Sequence, residues 1–348
     1  MNSLKGTLMD EKTLAPRTGL RGRPLLVRLV VIFVLLAAAL ALPYITTGYY
    51  VSLGSLIAAS AILAASVNML AGDGGLVSLG HAGIAAAAGY GLAWSAKEGF
   101  ELWAQLLVAL GLTLLVSALF GLVSMRTRGV FFLMVTLAAG MICYGIAFRW
   151  SAVTGGDNGL SGIRRPEAIA PYWSFYFAVL VIFIIATLAL YMISRSPFGL
   201  VLRGIRDSES RMRSLGYPIA AYKFSAMMLS GFFAGVAGVL LVWHAEFVSP
   251  TLGDFIASAM ALIMVVLGGL GTVSGPLVGA AIVILIQQVL STHFDRWSTV
   301  LGALFIASVI FAPKGLVGGF HSLVGWIRGR LTGKPAAPHI PTEPKSEG

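Results

Sequence analysis

Ten apolar runs, each close to the length of a bilayer's hydrocarbon core, leave this chain one way to satisfy its backbone. They cover about 25–43, 49–70, 76–96, 102–124, 129–150, 172–194, 218–243, 253–271, 276–292 and 298–313. A bilayer core is about 30 Å thick and takes roughly 20 apolar residues of helix to cross. No water reaches it, so every N–H and C=O must be paired within the protein, which successive long runs achieve as helices. A soluble domain carries roughly 25% charged residues, whereas this chain carries 11%, beside 57% hydrophobic ones. The expected fold is an all-α integral membrane protein of about ten transmembrane helices, several interrupted by Gly.

Charge placement orients it. With the N-terminus in the cytoplasm and sides alternating, the cytoplasm receives all 24 Lys and Arg except Lys97, Arg149, Arg164, Arg165 and Arg296. That is the positive-inside bias, and Asp and Glu, which hardly influence orientation, divide evenly between the sides. Both termini are therefore expected inside. The net charge of +10 reflects this topology rather than a nucleic-acid partner, because the basic residues cluster between apolar runs. Residues 1–24 read as a cytoplasmic segment, and the run that follows is too long for the core of a cleavable signal peptide. The transmembrane domain is then 25–313. Residues 314–330 are too short to span and fit an interfacial segment, with Trp326 as an anchor. Residues 331–348, rich in Pro, lack the apolar content to fold and are expected to be disordered. The one Cys, Cys143, rules out a disulfide framework or a Cys-based metal site.

The segment 195–217, RSPFGLVLRGIRDSESRMRSLGY, stands apart from this apolar background. Arg195, Arg203, Arg206, Asp207, Glu209, Arg211 and Arg213 cannot lie in hydrocarbon, where each charge costs several kcal/mol. The residues alone read equally well as an ordinary cytoplasmic loop or as a docking surface for a partner. A second feature is a Gly-rich break after the second run, surrounded by Asn68, Asp73, Ser78 and His81. Polar groups this near the membrane face a cavity or a neighbour. They therefore either line a pathway or satisfy backbone groups that the glycines free. His81 has no second His or carboxylate at metal-ligand spacing, so no metal site is expected. The break has an echo 196 residues on: Gly72, Gly75, Val77, Ser78, Gly83 and Ala85 line up with Gly268, Gly271, Val273, Ser274, Gly279 and Ala281. Interrupted helices in paired positions are a layout that transporters use near a pathway.

Other motifs are narrower. Gly231, Gly235 and Gly238, in GFFAGVAG, have the spacing that lets helix backbones approach closely in lipid. Gln287 and Gln288 sit inside an apolar run and could hydrogen-bond across helices, with packing as the default reading. The loop TGGDNGLSGI, with Gly155, Gly156, Asp157 and Asn158, falls on the outer face and continues into Arg164 and Arg165. Its glycines permit tight turns, and its charges could meet a partner. Ser161, in Gly-Leu-Ser-Gly, matches the G-x-S-G pattern of intramembrane serine proteases, but it lies in a polar outer loop rather than at a helix start within the membrane. GGLGTVSG, 268–275, lacks the Lys-Ser/Thr of a phosphate-binding loop. An enzyme is therefore not expected, and any energy for transport must come from a partner or an ion gradient. An ion-coupled secondary transporter would bury an ionisable group in mid-span, and these runs hold none near their centres.

Four blocks carry a resemblance: NMLAGDGGLVSLGHAGIAAAAGYGLAW (68–94), RTRGVFFLMVTLAAG (126–140), TGGDNGLSGI (154–163), and the stretch from SPFG (196–199) through RGIRDSESRMRSLGY, YKFSAMMLSGFFAGVAGVL and GGLGTVSGPLVGA to Ala280. In this order and spacing, over about 40–312, the chain resembles the LivM-like permeases of branched-chain amino acid ABC importers. The resemblance implies a permease subunit in a bacterial inner membrane, paired with a related permease. Two cytoplasmic ATPases would bind ATP, and a periplasmic binding protein would deliver a branched-chain or related hydrophobic amino acid; urea and short amides are alternative cargoes within the family. This chain would hold no cofactor itself. The resemblance also implies a coupling helix in the charged loop, carried here by Arg203, Arg206, Asp207, Glu209 and Arg211 and ended by Gly216 at φ > 0. The family pattern of Glu followed by two small residues is only partly kept, since Ser210, Arg211 and Met212 follow Glu209. Asn68, Ser78 and His81 become candidates for the translocation pathway, and the 155–158 loop a candidate dock for the binding protein.

Overall fold

The computed structural model describes residues 37, 39–291, 297–311, 315–316 and 318–319. The 1–24 segment and the 331–348 tail lie outside the described residues, as do most of the 25–43 run and of 314–330. The chain divides into two units at Thr47–Gly48; in the first, residues 39–45 are helical.

Among the described residues the second unit is helices joined by irregular segments, with one two-residue strand pair. Helix α1 covers Gly48–Asn68 and runs on through a π-turn, Met69–Asp73. It is followed by α2 (His81–Lys97), α3 (Leu102–Ser124), α4 (Gly129–Arg149) and α5 (Tyr172–Arg195). Two short helices, α6 (Pro197–Asp207) and α7 (Glu209–Ser214), precede the long α8 (Ile219–Ala245). The described helices end with α9 (Phe255–Gly268), α10 (Gly275–Leu285, extended by a π-turn to Leu290) and α11 (Trp297–Phe311). Leu160–Ser161 (β1) pairs antiparallel with Phe247–Val248 (β2).

Five of these helices, α1 with its π-turn, α3, α4, α5 and α8, are long and apolar enough to cross a membrane. At 1.5 Å per residue the shortest of them measures about 32 Å. Helices α9 and α10 are shorter; α9 stops at the Gly-rich backbone after Gly268 and α10 starts from it at Gly275. Irregular backbone at membrane depth is tolerated where protein covers it.

Three helices make the centre: α1, α8 and the shorter α2, most of whose residues from His81 to Ser95 are buried. The most apolar window of α1 is 72% buried and that of α8 67%, against 22–28% for α3, α4 and α5. Helix α1 lies among α5, α8 and α10, and α8 among α1, α2 and α3. The reason is side-chain size. Helices α1 and α8 present Ala, Ser and Gly around much of their circumference, so neighbours can close on every side. The outer helices keep a stripe of large residues turned outward at helical spacing: Leu115, Leu119 and Leu122 on α3, Phe131, Met134 and Ile142 on α4, Val181, Ile185, Leu188 and Met192 on α5. They leave the outer helices apolar on their exposed side.

Two expectations change. The run drawn from 76 does not start as helix; Leu76–Gly80 is irregular and the helix begins at His81, because Gly74, Gly75 and Gly80 break the repeat. The single helix expected over 203–216 is two. Ser208 adopts extended backbone (φ −162°, ψ 100°) and its hydroxyl accepts from the Arg211 N–H, a cap that starts a new helix rather than continuing the old one. Helix α7 ends as expected, with Gly216 at φ 85°. The Tyr217 N–H reaches the Met212 carbonyl and the Gly216 N–H the Arg213 carbonyl, the paired bonds of a Schellman stop.

Candidate functional site at the charged helices and the glycine-rich breaks

Helix α6 holds both of its arginines against the protein, although Arg206 stays 40% exposed and also pairs with Asp207 at 3.2 Å. Its apolar side, with Leu202 and Ile205 buried, seats it on the protein and turns Arg203 and Arg206 towards the end of α1. Arg203 donates to Asp73 Oδ1 at 2.9 Å and to the Ser194 carbonyl at 2.8 Å. Arg206 donates to the Gly72 carbonyl at 2.6 Å. A helix C-terminus carries partial negative charge and unpaired carbonyls, so cations are favoured there and an acid is not. Asp73 sits at that unfavourable place, and Arg203 compensates it. Gly75, at φ 65°, leaves the room its missing Cβ would take from the Arg206 stem.

The same break is tied to its echo. The Asn68 side chain accepts from the Gly271 N–H at 2.8 Å and donates to the Thr272 carbonyl at 3.0 Å. Gly72 lies so close to the Gly271 backbone that a Cβ there would overlap it. The two Gly-rich stretches that align in sequence are thus packed against each other, with Asn68 as the bridge. Gly72→Ala must push them apart, at a cost of about 1–3 kcal/mol for overpacking. We expect it to lower the melting temperature of the detergent-purified protein; an unchanged value would show that the breaks are not held in contact.

A second cluster gathers around Glu209, at the start of α7. Its carboxylate is paired with Lys223 of α8, at 2.5 Å, and with Arg128 between α3 and α4. Lys223 also donates to the Thr127 carbonyl at 3.0 Å. The Lys223 side chain is 3% exposed and that of Glu209 12%, so Glu209 is an internal tie and not a charge presented to a partner. Of the expected docking residues, Asp207, Arg211 and Arg213 do face outward, and Leu215 and Tyr217 are exposed beside them. Sequence reasoning placed Asp73 at the Gly-rich break without its partner Arg203, and gave Arg128 and Lys223 no role in the site. The one readable signal was Lys223, a charge a few residues inside an apolar run.

Ser78 and His81 are each 1% exposed. His81 Nδ1 is 2.9 Å from Ser78 Oγ and its Nε2 2.6 Å from Ser230 Oγ, while the Ser230 hydroxyl donates to the Ser66 carbonyl. This network fastens the first break to α1 and α8 from within the subunit, so neither residue opens onto a surface here. Asn68, half-buried, belongs to the junction of the two breaks. The three glycines of α8 divide between two neighbours. A Cβ on Gly231 would strike Ser117 and one on Gly235 Thr113, both of α3, whereas one on Gly238 would strike the Ala85 carbonyl of α2.

On the opposite end, Gly155 and Gly156 take φ of 74° and 62° and turn the chain so that Asp157 and Asn158 are exposed. Ser161 lies in β1, paired with Phe247. The two arginines that follow part company. Arg164 is exposed, but Arg165 turns inward. It donates to the Trp243 and His244 carbonyls at 2.6 and 3.0 Å, lies 3.5 Å from Glu246 and stacks 4.4 Å over the Phe175 ring. It closes the C-terminus of α8, where a cation is favoured, and only Arg164 of the pair is left to offer charge outward.

Comparison with known proteins places this arrangement. Residues 49–309 match the family described as the branched-chain amino acid transport system / permease component. The chain is 30% identical over 312 residues, 81% of its length and 73% of the relative's, to the high-affinity branched-chain amino acid transport system permease protein LivM of Escherichia coli K12. The LivM of Salmonella typhimurium matches to the same extent. A probable branched-chain amino acid transport permease protein, LivH, of Methanocaldococcus jannaschii is 29% identical over 56% of this chain and 66% of its own. The matched span takes in both breaks, the charged helices and the outer loop, and with it this chain belongs to the branched-chain amino acid ABC permease family, on its LivM-like branch.

Proposed function

We propose that this protein is one membrane-spanning half of an ABC importer for branched-chain or related hydrophobic amino acids. A related permease completes the pathway, two cytoplasmic ATPases supply the energy, and a periplasmic binding protein delivers the cargo at the Gly155–Asn158 loop. The ATPases bind ATP; this chain contributes no cofactor. The observation that carries the reading is the pair α6–α7. It presents Asp207, Arg211 and Arg213 outward while holding the end of α1 through Arg203 and Arg206, as a segment needs to do if it is to receive force on one side and deliver it on the other. Charges at the rim steer a partner and fix its register. The same basic residues favour the cytoplasm for α6–α7, and with it ten spans, both termini inside, and a bacterial inner membrane.

The test is to express the tagged chain in its own host, solubilise it gently and identify what copurifies. The expected result is a second hydrophobic subunit with soluble ATPases and ATP hydrolysis in the sample. A chain that purifies alone and transports on an ion gradient would make it a secondary transporter. Topology has its own check: a reporter fused after Thr154 should read outside and one after Ser208 inside, and the reverse would overturn the orientation.

A further inference from the structure

The contacts of α6 reach beyond holding a helix in place. Helix α7 is joined to α6 by Met212, whose thioether packs on Gly204, where a Cβ would displace it. From α6, Arg203 reaches Asp73 and the end of α5 at Ser194, and Arg206 reaches Gly72. From Gly72 the path continues without a gap, because Gly72 touches the Gly271 backbone and Asn68 bonds both Gly271 and Thr272. Beyond these breaks lie α2, which follows the first, and α10, which follows the second.

We propose that Arg203 and Arg206 are positioning residues that carry displacement of α6–α7 into the paired Gly-rich breaks, and that this tie stays closed while the pathway changes state. The inference rests on the importer reading and adds a route for the force within the subunit. Two physical features favour a permanent tie over one that opens. Asp73 is 13% exposed and sits at a helix end that repels it, so breaking the pair would strand a poorly solvated charge. Gly75 and Gly72 hold backbone that no side chain could replace without moving Arg206 or Gly271, so the contact surface is shaped for these partners. Helix ends held this way move as one body, while the positive-φ glycines beside them, Gly269 and Gly271 at φ 121° and 74°, supply the bending points.

The experiment uses the whole assembly in proteoliposomes with its binding protein, leucine as the probe, and two readouts, leucine taken up and ATP hydrolysed. The wild-type assembly is measured first. If it carries no ATPase, the importer reading itself fails and the tie is not reached. Given a working wild type, Arg203→Gln and Arg206→Gln should keep ATP hydrolysis within about twofold and lower uptake per ATP at least tenfold, about 1.4 kcal/mol of lost coupling by the tenfold rule. The exchanged pair Arg203→Asp with Asp73→Arg should recover a large part of the ratio. So should Arg203→Cys with Asp73→Cys, in a Cys143→Ala background, once a short bifunctional thiol reagent joins the two cysteines. A wild-type ratio in both single variants would overturn the proposal. So would joined cysteines that assemble and hydrolyse ATP yet block uptake, since that result requires the tie to open.

Discussion

Glu209→Lys is expected to prevent recovery of a stable protein, and not merely to weaken a docking contact. The substitution would set three cations around one site, the introduced lysine beside Arg128 and Lys223, with Lys223 at 3% exposure and unable to reach water. Removing one partner of a buried pair already costs about 3–5 kcal/mol, so Glu209→Gln should lower stability by about 3 kcal/mol and the reversal by more. Thermal unfolding of the detergent-purified chain, followed by monodispersity, measures this. The informative control is Glu209→Gln with Lys223→Met. It removes both buried charges and leaves Arg128, which is 57% exposed, in water; it should recover most of the loss, since apolar replacement of a buried pair is often neutral. If Glu209→Lys instead yields a stable assembly that fails only to bind its ATPases, Glu209 is a docking charge after all.

Gly235→Leu is the second large effect. Even a Cβ at this position meets Thr113 at its Cγ2, Oγ1 and Cβ together, so three more carbons have nowhere to go unless α3 and α8 separate. Overpacking by single methylenes costs about 1–3 kcal/mol, and in lipid no hydrophobic gain offsets the lost helix contact. We expect Gly235→Leu to abolish recovery of folded protein. Gly235→Ala should be a milder lesion of about 1–3 kcal/mol, partly repaired by Thr113→Gly, which vacates the space. Gly145 of α4 faces open space, and Gly145→Ala should change little. Equal losses from Ala at positions 235 and 145 would show that the α3–α8 contact does not set the penalty, since Ala is the better helix former at both.

Much of the architecture was legible because apolar run length is a local property of the chain. Each described run from 49 onward coincides with a helix to within a few residues, except where Gly74, Gly75 and Gly80 delay α2. Gly216 was legible for the same reason: a helix stop depends on one residue's φ. The echo between Gly72–Ala85 and Gly268–Ala281 was visible as an alignment, and its contact through Asn68 could be seen only in three dimensions.

The charged segment shows where sequence stops. Its composition required water, because no arrangement hides that many charges in hydrocarbon. Which charges face outward depended on partners far along the chain: Arg203 and Arg206 on the end of α1, Glu209 between Arg128 and Lys223, Arg165 on the end of α8. An ion pair is set by distance in space and carries no signature in the spacing of its members. So the sequence alone determined a helical membrane protein and its Gly-rich breaks, through run length and backbone freedom, while its four motif blocks carried the resemblance to the permease family. The tertiary structure alone decided which polar residues are internal ties, because burial and pairing come from how the helices close on one another.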